Sequence, residues 1–232
     1  MNSEIVIGFL NEHQPVCRHA SVSNSIKTEK SCEFCHHMNR DVCLLITHIY
    51  GARKTVDIGL ALSPLAEAGP YFPYEKAGFE LFSQEGKTES EKIKYIFKHA
   101  FEMEYQSVII VSHSVPHLPL NYLENALSSL RNGSNFVVGP LKNGMFYLIG
   151  MKRQMHEIID SGNVFNDINF DNSALRDSTV KNIKNHCNGF SILPEWYILK
   201  SINDLKKMHN DYRQGIGWKA QWTHNISSEL LG

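Results

Sequence analysis

Short apolar runs alternate along this chain with longer stretches whose apolar residues recur every three or four positions. Ile5 to Leu10 is a continuous apolar run rich in β-branched residues, the pattern of a strand buried on both faces. Asn11 to Lys27 is polar loop chemistry. From Thr28 or Ser31 to about Tyr50, Phe34, Met38, Val42, Leu45 and Ile49 fall on one helical stripe, with Gly51 as the expected C-cap. Val56 to Leu62 predicts a second strand, the Pro- and Gly-containing stretch Ala68 to Gly78 a loop, and Phe79 to Phe82 a short strand. Thr88-Glu89-Ser90-Glu91 opens a helix with a cap and early acidic residues, and Ile93, Ile96, Phe97, Ala100 and Phe101 form its buried stripe.

Val108 to Val111 is the clearest central-strand signal. Asn121 to Leu130 predicts a helix, and Phe136 to Val138 and Phe146 to Gly150 predict strands. Helices are expected over Gln154 to Asp160 and Ser173 to Asn185, then a strand near Phe190 to Leu193 and a helix from Ser201 to about Tyr212. Strands alternating with helices imply βαβ units, hence an α/β fold with a mostly parallel sheet covered on both faces. There is no internal repeat and no low-complexity linker, so one domain over residues 1–212 is expected, with a less regular C-terminal extension over 213–232. Trp218 and Trp222 in that extension suit either a cap on a core edge or an anchor for a homo-oligomer or protein partner.

With 232 residues and 42% hydrophobic content the chain can build a sizeable core. Lys and Arg number 23 against 24 Asp and Glu. A balance so near neutral gives no electrostatic reason to expect nucleic-acid or anionic-membrane binding, although a small basic pocket for one phosphate remains compatible with it. The apolar run after Met1-Asn2-Ser3-Glu4 is too short for a signal h-region or a membrane span. Five cysteines, an odd number without an export signal, then predict reduced thiols and a cytoplasmic protein.

Between Val108 and Gly150 the sequence becomes specific. Val108-Ile109-Ile110-Val111-Ser112-His113-Ser114-Val115-Pro116-His117-Leu118 is followed, after a helix, by Val138-Gly139-Pro140-Leu141-Lys142-Asn143-Gly144-Met145-Phe146-Tyr147-Leu148-Ile149-Gly150. Together these resemble the DUF2064 family of bacterial glycosyltransferase-like proteins, of the GT-A (nucleotide-diphospho-sugar transferase) fold and close to 2-phospholactate guanylyltransferase. The resemblance extends upstream through Gln84 to Phe101 and downstream to Leu193-Pro194-Glu195-Trp196-Tyr197 and Asn203-Asp204-Leu205. It implies a GT-A-like three-layer α/β/α sandwich and a nucleotide or nucleotide-sugar ligand.

In that family, transfer from a nucleotide diphosphate calls for Mg²⁺ or Mn²⁺ held by carboxylates, because charge builds on the departing phosphate oxygens. The resemblance places those carboxylates at Ser114, His117 and Asn143, and twice in the segment Ile198-Leu199-Lys200, and none of these residues is acidic. The basic turn after the first strand is reduced to Gln14-Pro15-Val16-Cys17-Arg18. What persists is scaffold: Pro116, Gly139, Pro140, Gly144, Tyr147 and Gly150. The expectation is therefore a divergent member that binds a nucleotide or phospho-ligand without metal-dependent transfer. Its cleft would be built from Arg18, Ser112, His113, Ser114, Pro116, His117, Lys142, Asn143 and Gly144. No cofactor is expected, with Mg²⁺ or Mn²⁺ required only if transferase activity persists. The alternatives are an active glycosyl- or nucleotidyltransferase with relocated ligands, such as His113 and His117 with Asp167 or Asp171, or a protein-interaction module.

Two further motifs compete. Cys32-Glu33-Phe34-Cys35-His36 spells a haem-attachment pattern, but haem attachment goes with export. Cys32, Cys35, His36 and Cys43 lie on neighbouring edges of one helical face, where zinc could bind, although cysteines beside an apolar stripe are usually small buried hydrophobes. Ser112-His113-Ser114 lacks both a nucleophile elbow and an acid to orient the His.

Overall fold

The computed structural model describes residues 3–10, 28–52, 55–63, 78–142, 145–157 and 188–231. Seven strands form one sheet: β1 (Glu4–Phe9), β2 (Asp57–Leu62), β3 (Phe79–Ser83), β4 (Ser107–Ser112), β5 (Phe136–Pro140), β6 (Phe146–Lys152) and β7 (Phe190–Ile192). Their order is β3-β2-β1-β4-β6-β5-β7. Among the described residues every pairing of these strands is parallel except those of β6, which runs antiparallel between β4 and β5. Five helices are described: α1 (Thr28–Ala52), α2 (Glu89–Glu102), α3 (Leu120–Arg131), α4 (Ile202–Arg213) and α5 (Gln221–Leu231).

Strand periodicity divides the apolar side chains between two cores. Val6, Ile109 and Val111 face the core built with α1, α3 and α5, whereas Ile5, Ile7, Val108 and Ile110 face the one built with α2. This gives three layers, with every residue of β1 buried. Both helical stripes expected from periodicity are buried in full, Phe34 to Ile49 on α1 and Ile93 to Phe101 on α2. The start of α2 is fixed by a capping box: the amide of Glu91 donates to Thr88 Oγ1 at 3.2 Å, and the amide of Thr88 donates to Glu91 Oε2 at 3.1 Å.

Three local expectations change. The first helix runs through Gly51 to Ala52 instead of stopping there, since Gly51 lies in open space with no need for a left-handed turn. After β6 the backbone makes a 3₁₀ turn over Arg153–Met155 before the helical residues His156 and Glu157. The tail is also more regular than its sequence suggested, because α5 packs against α1 and α4 and buries Ile226. Trp222 meets α1 through the Arg40 guanidinium, 3.7 Å from its ring centroid, and Trp218 meets it through His48 at 4.9 Å. The helix expected over Ser173 to Asn185 lies outside the described residues. No described helix is long and apolar enough to cross a membrane.

Candidate functional site

In a sheet of this order the strands β1 and β4 are neighbours whose chains continue in opposite directions, and ligands of such sheets bind beyond the carboxyl ends of the strands. Three segments meet at that end. The first is the loop after β4. There Ser112 Oγ and Ser114 Oγ lie 2.7 Å apart, and the amide of His113 donates to the carbonyl of Phe9 at 3.0 Å, tying the two strand ends together.

The second is the turn after β5. A Cβ on Gly139 would fall inside the ring of Tyr147, so glycine is what lets that ring cross β5. The Tyr147 hydroxyl then donates to the carbonyl of Pro194 at 3.0 Å, and burial pushes its pKa up. The third segment, Leu193 to Lys200, follows β5 outward: Leu193 donates to Val138 at 2.8 Å, Trp196 to Pro140 at 3.1 Å and Lys142 to Trp196 at 3.0 Å. The amide of Leu199 reaches the carbonyl of Ser114 at 3.4 Å, closing the three segments together.

Between the second and third segments and α4 is a cleft of about 330 Å³, lined by Leu141, Lys142, Tyr197, Ile198, Lys200, Asp204 and Lys207. Its cations come from three separate places, Lys142 on the turn, Lys200 before α4 and Lys207 within it. Lys142 and Lys200 make no side-chain ion pair with any described residue. Lys207 pairs with Asp211 one turn along the helix and lies 4.1 Å from the centroid of the Tyr197 ring. The Tyr197 hydroxyl donates to Asp211 Oδ2 at 2.7 Å. Burial alone would raise the Asp211 carboxyl, but the bonds from Lys207 and Tyr197 outweigh it and hold it below the usual carboxylate range. Burial, and after it the bond to Asp211, pushes the Tyr197 phenol up.

Asp204 is the one carboxylate among the lining residues, and one of its oxygens caps a helix. Asp204 Oδ2 accepts the amides of Lys200 at 3.1 Å and Ser201 at 2.8 Å and the hydroxyl of Ser201 at 2.7 Å, which caps α4. Mg²⁺ or Mn²⁺ would need free oxygen ligands with negative charge. A lone carboxylate with one oxygen already accepting three bonds, beside three ammonium groups, does not fit that need, and the described residues contain no group of three or more His, Cys, Asp or Glu able to hold a metal ion.

Of the residues expected to line the cleft, Lys142 does so. Ser112 and Ser114 are half-buried at the end of β4, while His113, Pro116 and His117 are buried. The His117 ring is enclosed by Tyr197 at 4.5 Å and Trp196 at 5.5 Å between centroids, and neither of its ring nitrogens has a hydrogen-bond partner. Burial pushes its pKa down to about 3, so the ring is neutral. Arg18, Asn143, Gly144, Asp167 and Asp171 lie outside the described residues.

On α1, Cys43 is fully buried with its thiol pushed up by burial, His36 is exposed, and the side chain of Cys32 is outside the description. Cys35 is disulfide-bonded, a departure from the expected set of five reduced thiols. A disulfide sulfur cannot ligate zinc as a thiolate does.

The sheet order, with β6 antiparallel between β4 and β5, is that of a nucleotide-diphospho-sugar transferase fold. A candidate nucleotide-diphospho-sugar transferase from Desulfovibrio desulfuricans G20 superposes with a TM-score of 0.81 at 19% identity, over 100% of this chain and 97% of that one. A 4-diphosphocytidyl-2C-methyl-D-erythritol synthase from Anaerococcus prevotii DSM 20548 gives 0.54 at 11% identity, over 91% and 97%. At such identities the likeness is one of fold. No curated protein matches this chain. Residues 47–171 match the DUF2064 model, described as an uncharacterized protein conserved in bacteria, and the chain belongs to that family.

Proposed function

We propose that this protein binds a nucleotide or a related phosphorylated ligand in the cleft beyond β5, using ammonium groups where its relatives in fold would use a metal, and without the usual metal-dependent transfer. The observation that carries the reading is the convergence of Lys142, Lys200 and Lys207 on one cleft with a single lining carboxylate, Asp204, which caps α4. Lysine is a point-charge partner for phosphate and supplies the neutralisation that a divalent cation supplies in other sites. Lys200 also stands where the family resemblance calls for a carboxylate, so one substitution there removes a metal ligand and adds a phosphate partner. The apolar walls, Leu141, Ile198 and the Tyr197 ring, suit the uncharged part of such a ligand.

The test is thermal denaturation against a panel of nucleoside di- and triphosphates and nucleotide sugars, each with and without Mn²⁺. A ligand that binds only the folded state raises the melting temperature by mass action. The expected result is a shift for at least one nucleotide that is unchanged by Mn²⁺ or by chelator. A shift that needs Mn²⁺, or transfer of a sugar or nucleotidyl group at enzyme-like rates, would overturn the metal-free reading, and a flat panel would overturn the nucleotide reading itself.

A further inference from the structure

The helix α4 has a second basic face, turned away from the cleft. Lys206, His209, Asn210 and Arg213 follow one another at helical spacing, and with Ser228 and Leu231 of α5 they line a groove of about 440 Å³. Neither Lys206 nor Arg213 makes an ion pair with any described residue. Behind them His209 and His224 stack face to face with ring centroids 4.0 Å apart, and the Tyr212 ring lies 4.6 Å from His224.

The hydrogen bonds fix how these rings can take up protons. Ser227 Oγ donates its one proton to the carbonyl of His224 at 2.8 Å. It therefore accepts from His209 Nε2, 2.6 Å away. His209 thus carries its neutral-state proton on Nε2, and further protonation would add one at Nδ1 without breaking that bond. The charged groups facing the two rings are Arg213 on α4 and Lys219 just before α5, with Tyr212 beside them, and no described carboxylate acts on either ring. Burial first, and then these cations together with the second imidazole beside His209, lowers both imidazole pKa values. The wall of the groove thus carries two cations, Lys206 and Arg213, with the His209 ring beside them and the His224 ring stacked on it.

We infer that the groove between α4 and α5 is a binding site for the phosphate group of a small molecule, separate from the cleft beyond β5. Arg213 offers the forked donor that matches phosphate geometry, Lys206 a point charge, and Asn210 a neutral donor at the rim. A dianion there also favours the protonated form of the stacked imidazoles and offsets the nearby cations, so binding and proton uptake are coupled.

The test follows the ring resonances of His209 and His224 by NMR while inorganic phosphate is titrated at constant ionic strength, with chloride as the control. The expected result is a saturable upward move of both imidazole pKa values with phosphate and none with chloride. Arg213→Gln and Lys206→Gln should each weaken phosphate binding roughly tenfold, the size of one charge-assisted contact. Lys142→Gln and Lys200→Gln should leave these resonances as they are, which keeps this site apart from the proposed nucleotide cleft. Lys206 and Arg213 are exposed, so both variants are expected to fold, and circular dichroism checks it. Resonances that ignore phosphate, that respond equally to chloride, or that respond undiminished in folded Arg213→Gln would overturn the inference.

Discussion

The carboxylate of Asp41, fully buried on α1, accepts the backbone amide of Thr223 at 2.7 Å across 182 residues of sequence. The amide of Trp222 approaches the same side chain at 3.4 Å. Both amides belong to the first turn of α5, so a side chain from another helix caps it and offsets the positive end of its dipole.

Asp41→Ala should lower stability by about 1–2 kcal/mol, the range for a lost cap, whereas Asp41→Asn keeps an acceptor and should lose less. The two also differ with pH. Burial raises the folded-state pKa of Asp41 above its ordinary value, although the bonds from Thr223 and Trp222 act against it. Its ionisation therefore counts against folding, a penalty that grows as pH rises from the unfolded to the folded value and is relieved as pH falls back through it. Urea denaturation between pH 4 and 7 should show that part of the pH slope missing in Asp41→Asn.

His117 has the opposite sign. Its folded pKa near 3 lies below the unfolded value near 6.5, so the unfolded chain binds the proton first and stability is lost as pH falls from 6.5. At 1.36 kcal/mol per unit, acidification from pH 6.5 to 5 should cost about 2 kcal/mol through this one ring. Phe removes two unpartnered buried nitrogens and keeps an aromatic ring against Tyr197 and Trp196. His117→Phe should therefore be close to neutral at pH 7 and flatter than the parent down to pH 5. Equal slopes in the two proteins would mean that the ring titrates in the folded state.

Gly139 and Tyr147 test the scaffold that carries the cleft turn. Gly139→Ala places a methyl where the Tyr147 ring already is, and that ring is fully buried and tied to Pro194, so it has nowhere to move. A loss of about 2–3 kcal/mol is expected, the range for overpacking. Tyr147→Phe should lose about 1 kcal/mol through the bond to Pro194. The double variant Gly139→Ala, Tyr147→Ala should recover part of the first loss, since the clash disappears with the ring, and a strictly additive double variant would place the strain elsewhere.

Which of these relationships could be read from sequence depends on how local they are. The stripes of α1 and α2 repeat within a single element, so periodicity alone exposes them, as does the capping box at Thr88 and Glu91. The run Val108 to Val111 announces a central strand because β4 is buried on both faces. The lysine cleft has no such signature: Lys142, Lys200 and Lys207 come from a turn, an extended segment and a helix, and only the sheet order brings the turn next to the rest. Arg213 and the imidazoles of the second groove are hidden in the same way, since their partners lie across the α4–α5 turn. His117 misleads in the other direction. It follows a strand end, where ligand-binding groups are common, but the turn in which Leu118 donates to Val115 at 3.0 Å carries it beneath Trp196 and Tyr197.

The three cleft lysines should not contribute equally, and their order discriminates between a built phosphate site and a generally positive surface. Lys207 is already neutralised by Asp211 and held over the Tyr197 ring, so part of its charge is spent inside the protein. Lys200 has no such partner, and its backbone is fixed by the hydrogen bond its amide donates to Asp204 Oδ2. Lys200→Gln should therefore weaken binding of the responding nucleotide roughly tenfold, as expected for one charge-assisted contact, and Lys200→Glu further still. Lys207→Gln should weaken it less. It should also raise the Asp211 carboxyl, which loses its strongest stabilising bond while the Tyr197 hydroxyl remains. Isothermal titration of Lys142→Gln, Lys200→Gln and Lys207→Gln with that nucleotide decides the matter. A diffuse positive surface would give equal losses at Lys142, Lys200 and Lys207 that vanish together in moderate salt, because exposed charges are screened within about 10 Å at 0.1 M. A built site keeps the difference between Lys200 and Lys207 when salt is raised.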